Sequence, residues 1–378
     1  MPSVSIIFAG DFCSKSSASV ISLSDELKTK IRGCDLRAIN FEVPLRPDVS
    51  MPKQKRERFF QNDDTPDFLK QIGFNLFSFA NNHAFDWGVE GFEKTKAAFG
   101  DCLFGAGTYD EAYKVKICEI NGCRIGFMAL TFSAYTGVFD NVLDHGGKGC
   151  AFIGDSIVNH VIIRTKEKVD YLFILAHDGI EYIDIPMPET VARYRDFIDY
   201  GADGVIGTHP HCPQGWEDYK GKPIFYSLGN FLFNSKNGYN YRAYNRPHWY
   251  EGLCVVINIC DGQLNYEVIN TLNVDNLGIV VDHSEVRNQH NRYLCNILQD
   301  CSKYKSLLER ECKRLACIQE LPIIDRTFHD YGLKSTVKAL LKYVINYIRH
   351  QPRSNDKELY YLLKNDCRRS VLLRGIKE

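Results

Sequence analysis

Gly201-Ala202-Asp203-Gly204-Val205-Ile206-Gly207-Thr208-His209-Pro210-His211 reads as an apolar strand that runs into two imidazoles. The run Asp203 to Ile206 has the texture of a buried strand, and two histidines two residues apart in extended backbone send their side chains to one face. In open α/β sheets, ligands bind in the crevice beyond the carboxyl ends of the strands. This stretch therefore predicts a layered α/β domain with imidazoles at one sheet edge.

Four other strand ends repeat the arrangement. The run Tyr171 to Ala176 ends in His177-Asp178-Gly179, with Glu181 and Tyr182 following. Phe74 to Phe79 closes on Ala80-Asn81-Asn82-His83, followed by Asp86 and Gly88. Three hydrogen-bonding side chains at the end of a buried strand need partners, so Asn-Asn-His is an expensive way to make a turn. Ala38 to Phe41 leads into Glu42, and Val4 to Ala9 into Gly10-Asp11, where Gly lets the chain turn and Asp presents a carboxylate. Further apolar runs at Arg124 to Leu130, Ile224 to Leu228 and Leu253 to Ile259 alternate with helical spacing at Thr65 to Ile72, Val89 to Phe99 and Glu189 to Tyr200. One buried histidine is ordinarily a satisfied core residue. Two carboxylates, an Asn and three His at successive strand ends instead suit the mixed oxygen and nitrogen ligation of Mn, Fe or Zn.

Composition bounds the rest. The chain has 378 residues, 44% hydrophobic and 25% charged, as in a soluble globular protein. Its net charge of -1 hides an acidic body and a basic tail, with 17 Lys and Arg against 9 Asp and Glu from Cys301 onward. The acidic body argues against a nucleic-acid groove. Fourteen scattered cysteines without a C-x-x-C pair read as reduced thiols of a cytoplasmic protein. Neither a leader nor a transmembrane anchor is expected, because no apolar run approaches the ~18 to 20 residues a span needs. The expected organisation is a catalytic domain over 1–270 and a basic helical extension over 271–378, with helices at Asn291 to Ala316 and Ser335 to Arg349. That extension reads as a cap on the body, with contact to a partner or a membrane surface as the other reading. The basic run Lys53 to Arg58 reads as a solvated loop or as a gatherer of anionic substrate.

With these residues in view, the set Gly10-Asp11, Asn40 to Glu42, Ala80 to Gly88, His177 to Tyr182, Gly201 to His211 and Tyr226 to Phe231 resembles the CapA-type poly-gamma-glutamate capsule biosynthesis proteins. That branch is similar to the calcineurin-like metallophosphoesterases. The resemblance covers about residues 4 to 260 and implies a four-layer α/β/β/α sandwich with two divalent metal ions at one edge. It implies that Asp11 and His211 hold one ion, that Asn82, His177 and His209 hold the other, and that Glu42 bridges. It makes His83 the general acid or the stabiliser of the leaving group, with Asp86 its orienter. Asn81, Glu181 and Asn230 read as residues at the substrate, and Asn230 also as the cap of its own turn. The implied activity is hydrolysis of a phosphoester or a gamma-glutamyl amide in an anionic small molecule or polymer, with metal-activated water as nucleophile. The alternative is a non-catalytic accessory role in polymer or capsule synthesis. Two positions depart from the wider pattern: Asp11-Phe12-Cys13 replaces Asp-x-His, and His177-Asp178-Gly179 replaces His-Trp-Gly.

Overall fold

The computed structural model describes residues 3–48, 59–132, 147–234 and 248–320. The run Lys53 to Arg58 and the apolar stripe of Ser335 to Arg349 lie outside them. Among the described residues, no helix is long and apolar enough to cross a membrane.

Two sheets make the body. The larger has nine strands in the order Ser22–Leu23, Gly278–Val281, Gln263–Val274, Glu251–Cys260, Val4–Ser14, Leu36–Phe41, Leu76–Ser78 and Leu103–Phe104, with Asn230–Asn234 pairing the far half of Val4–Ser14. The other has six, in the order Trp216–Tyr219, Lys222–Phe225, Gly204–Thr208, Tyr171–His177, Cys123–Thr131 and Lys116–Ile120. The central strands of both run parallel and are buried on both faces, which is why they read as continuous apolar runs rather than alternating ones. Between the sheets, Phe8 of the first packs on Phe127 and Phe173 of the second, with ring centroids 6.2 and 5.6 Å apart. Outside the first sheet, Phe99 of the helix Gly88–Phe99 sits on Phe41 and Phe77 at 4.7 and 4.2 Å. Ile157–Lys166 and Pro188–Asp199 pack on the second sheet. The result is an α/β/β/α sandwich of metallophosphoesterase type.

The antiparallel hairpin of Glu251–Cys260 and Gln263–Val274 crosses position 270, and helices resume only at Glu285. The helix Glu285–Gln299 belongs to the same compact unit as the sheets. It buries Leu294 and Ile297, and Cys295 Sγ accepts the Trp216 amide at 3.4 Å. The helix Cys301–Glu320, in a second unit, starts where Asp300 Oδ1 accepts the Ser302 and Lys303 amides.

Two glycines decide how closely strands meet near the sheet edge. Gly10 does not turn the chain: Val4–Ser14 continues through it with a register shift beside Asp11. What Gly10 provides is room, because a Cβ there would lie 2.0 Å from the Gly229 carbonyl oxygen; at Gly207 it would lie 2.0 Å from that of Tyr226. Both obstacles are backbone, which no rotamer change relieves. Gly207→Ala is therefore expected to destabilise by about 3 kcal/mol, the upper end of overpacking costs, in denaturant titration. A loss below about 0.5 kcal/mol would show that the strands can part.

Candidate metal centre

Five of the six predicted ligands stand at the carboxyl end of a strand or a few residues beyond it, while Asp11 lies inside Val4–Ser14 beside its register shift. Asp11, Glu42 and Asn82 come from the first sheet, and His177, His209 and His211 from the second. All six are buried. The two histidines of the Gly201 to His211 stretch are not in extended backbone, as their spacing suggested. The strand ends at Thr208, and His209 and His211 have φ of 99° and 57°. Val43 and Tyr182, beside the other candidate residues, have φ of 80° and 69°. Left-handed backbone at non-glycine residues is strained, typically by about 1 to 3 kcal/mol each, and it persists where the surroundings force it.

The donor atoms converge. His177 Nε2 lies 3.0 Å from Asn82 Oδ1 and 3.2 Å from His209 Nδ1. Asp11 stands 3.6 Å from His177 Nδ1 and 3.5 Å from His211 Nδ1, and Glu42 Oε1 stands 3.9 and 3.7 Å from their Nε2 atoms. Asp11, Glu42 and His177 each offer an atom within 4.8 Å of the others, the spacing of a group able to hold a metal. Around them, Asn40 Nδ2 donates to Asp11 Oδ1 at 2.7 Å and the His209 amide to Asp11 Oδ2 at 3.0 Å. Thr208 Oγ1 is 3.0 Å from His177 Nδ1. These contacts orient the donors, as the surroundings of metal ligands do.

Electrostatics gives the fit test. Glu42 is 0% exposed, and neither of its oxygens has a hydrogen-bond partner. Burial, then the charge of Asp11, pushes its carboxyl well above the usual range. Burial alone would raise Asp11 too, but the hydrogen bond and charge of His177 and the charge of His211 hold it at about 2. Burial, then His177, lowers His209 well below the ordinary imidazole range, and burial lowers His211 as well. Burial that disfavours charge on Glu42, His209 and His211, together with carboxyl oxygens that lack partners, leaves a site that a divalent cation would satisfy by displacing the Glu42 proton. Oxygen and nitrogen donors in this proportion fit a transition ion such as Mn, Fe or Zn.

The other predicted residues fall nearby in different ways. His83 Nδ1 is 2.8 Å from Asp86 Oδ2, and its Nε2 is 4.0 Å from Glu42 Oε1. Asn81 is committed to the backbone: its Nδ2 donates to the Phe41 carbonyl and its Oδ1 accepts the His83 amide. Asn230 opens a strand rather than capping a turn. Its Oδ1 lies 2.9 Å from His211 Nδ1, and its Nδ2 donates to the Trp249 and His211 carbonyls. Glu181 is half-buried, with its charge felt at Glu42, His209 and His211. Asp178, in place of an aromatic residue, accepts the Thr190 hydroxyl at 3.0 Å. Aromatic walls come from elsewhere: Phe132 lies 4.4 Å from His209, and Trp249 lies 5.0 Å from His211. Sequence reading missed both, since each follows its strand or turn as an ordinary apolar residue. Cys13 is fully buried, and burial, then Glu42, pushes its thiol well up, as suits a packed thiol.

Paired sheets between helices, with carboxylates, an amide and imidazoles gathered at one edge, make up an α/β protein with a candidate metal centre. The chain belongs to the family described as bacterial capsule synthesis protein PGA_cap, whose model matches residues 5–235. It is 31% identical to the PGA biosynthesis protein CapA of Bacillus subtilis over 218 residues, covering 54% of each chain. It is 28% identical to the capsule biosynthesis protein CapA of Bacillus anthracis over 215 residues, covering 54% of this chain and 52% of that one. The chain thus spans about half the length of these relatives. A solved structure of a novel phosphatase from Mycoplasma pneumoniae is similar at a TM-score of 0.45 and 18% identity, over 72% of this chain and 94% of that one.

Proposed function

We propose that the chain is a metal-dependent hydrolase of anionic phosphoesters or gamma-glutamyl amides. The observation that carries this reading is the buried, unpartnered carboxylate of Glu42 among the imidazoles of His83, His177 and His211. In it, Asp11 and His211 would hold one divalent ion and Asn82, His177 and His209 a second, with Glu42 a donor available to either. When bound, the ions supply an activated water and neutralise the charge that develops at the attacked centre. His83 in its protonated form keeps Nδ1–H on Asp86 and gives its Nε2 proton to the leaving oxygen or nitrogen, an anion that departs poorly unprotonated at neutral pH. Asn230 fixes the ring of His211, while Asn40 and the His209 amide hold Asp11. Glu181 stands at the rim, where it meets the substrate.

Metal analysis joined to a substrate screen tests this. Purified protein is expected to hold about two ions per chain beyond any other site, to hydrolyse phosphoesters or gamma-glutamyl peptides with added manganese, and to lose turnover to a chelator. His209→Ala and His211→Ala are each expected to lose one of those ions. Protein that folds normally without metal and turns over none of these substrates would favour the accessory role in polymer or capsule synthesis.

A further inference from the structure

A second set of metal-type donors lies apart from the centre just described. Asp184 follows the strand Tyr171–His177, His248 precedes Glu251–Cys260, and His290 lies on the helix Glu285–Gln299. One donor atom from each lies within 4.8 Å of the other two. His248 Nε2 stands 3.9 Å, and His290 Nε2 3.7 Å, from the same oxygen, Asp184 Oδ2. The rings stack with centroids 4.4 Å apart and planes 14° from parallel, so both present one edge to that oxygen.

The hydrogen bonds around the cluster leave these atoms facing one another with little else to bind. His248 Nδ1 lies 2.7 Å from Glu251 Oε2, and Glu251 also pairs with the buried guanidinium of Arg287. A carboxylate held by Arg accepts only, so Nδ1 of His248 donates to it, and in the neutral ring Nε2 is left with a lone pair toward Asp184. A carboxylate behind a ligating imidazole is the usual outer support of a zinc site. His290 Nε2 is buried and has no hydrogen-bond partner. A buried polar atom left without a partner is unfavourable. A second proton on both rings would set two imidazolium ions face to face beside Arg287. One cation between the three side chains satisfies both nitrogens and the carboxylate.

We infer that Asp184, His248 and His290 form a binding site for a zinc-type divalent ion, with one coordination position left to water. Two imidazoles and one carboxylate are a donor set that zinc accepts, and tetrahedral donors about 2.0 to 2.1 Å from zinc stand about 3.3 Å apart, a little closer than the separations here. All three side chains are about a quarter exposed, which gives an ion access and the donors room to close. The site joins three chain segments. Tyr182, two residues before Asp184, and Trp249, next to His248, pack on each other at 5.7 Å and lie 6.2 and 5.0 Å from His211. The ion thereby fastens the helix Glu285–Gln299 to the two aromatic residues beside the first centre. The inference holds whether or not that centre hydrolyses anything.

The test counts metal in the full chain. Protein loaded with zinc and freed of excess by gel filtration is analysed by mass spectrometry of the elements, alongside His290→Ala and Asp184→Asn. Each variant is expected to hold one ion per chain fewer than the parent and to lose part of the zinc-dependent rise in melting temperature, while keeping the ions that His177→Ala removes. Unchanged zinc content in both variants overturns the inference. Should substitution prevent folding, anomalous diffraction at the zinc edge from zinc-soaked crystals of the parent decides. A peak between the three side chains upholds the site, and its absence overturns it.

Discussion

Glu42→Gln is expected to abolish metal uptake at the Asp11 centre, to cut turnover by about 10³-fold or more, and yet to make the metal-free protein more stable at alkaline pH. The carboxyl is fully buried with both oxygens unpartnered. Its folded-state pKa stands well above the ordinary carboxylate value because of burial and then the charge of Asp11. The folded chain therefore holds a proton that the unfolded chain releases near pH 4.3. Stability that rests on this proton is whole below that pH and is lost as pH rises toward the folded-state value. Asp11 acts oppositely: lowered to about 2, it contributes stability above the unfolded carboxylate pKa that is lost as pH falls toward 2. In chelated protein, parent and Glu42→Gln should match near pH 5, and the variant should gain on the order of 1 to 2 kcal/mol by pH 8. Denaturant titrations at the two pH values measure the difference. Equal pH slopes, or a variant that still takes up two ions at this centre, would remove Glu42 from its role.

His83→Ala is expected to keep the metal and to lose turnover by about 10² to 10⁴-fold on alkyl phosphates or peptides. On p-nitrophenyl esters the loss should be less than about 10-fold, because nitrophenolate leaves without a proton. Asp86→Asn should follow the same split in weaker form, since it acts through the ring it orients at 2.8 Å. Equal losses on good and poor leaving groups would mean that His83 positions substrate rather than delivers a proton.

The strand ends were legible because their chemistry is local. Thr65 to Ile72 carries Pro at its start and buries Leu69 and Ile72 at helical spacing, and its boundaries in the structure are the same. His177 follows six consecutive strand residues, so its place at the edge could be read directly. What escaped depends on long-range packing. The hairpin strand Gln263–Val274 is half exposed, so its alternation of Leu264, Tyr266 and Val268 with polar residues was lost beside the Lys-rich and Leu-rich texture that follows. The left-handed backbone of His209 and His211 has no glycine to announce it. Asp184, His248 and His290 are single polar residues in three distant segments, and only the docking of a helix brings them together.

The division of donors between the sheets bears on the order of assembly. The first sheet offers Asp11, Glu42 and Asn82, all oxygen donors, while the imidazoles of His177, His209 and His211 arrive with the second. The strands of the second sheet, Lys116–Ile120 to Lys222–Phe225, lie in the chain between the early strands of the first sheet and its late ones, Asn230–Asn234 to Gly278–Val281, so the first sheet is complete only after the residues of the second have been synthesised. The oxygen donors and the imidazoles come together only when the halves close on each other. On the proposed reading, a centre with both donor types would exist only in the finished sandwich.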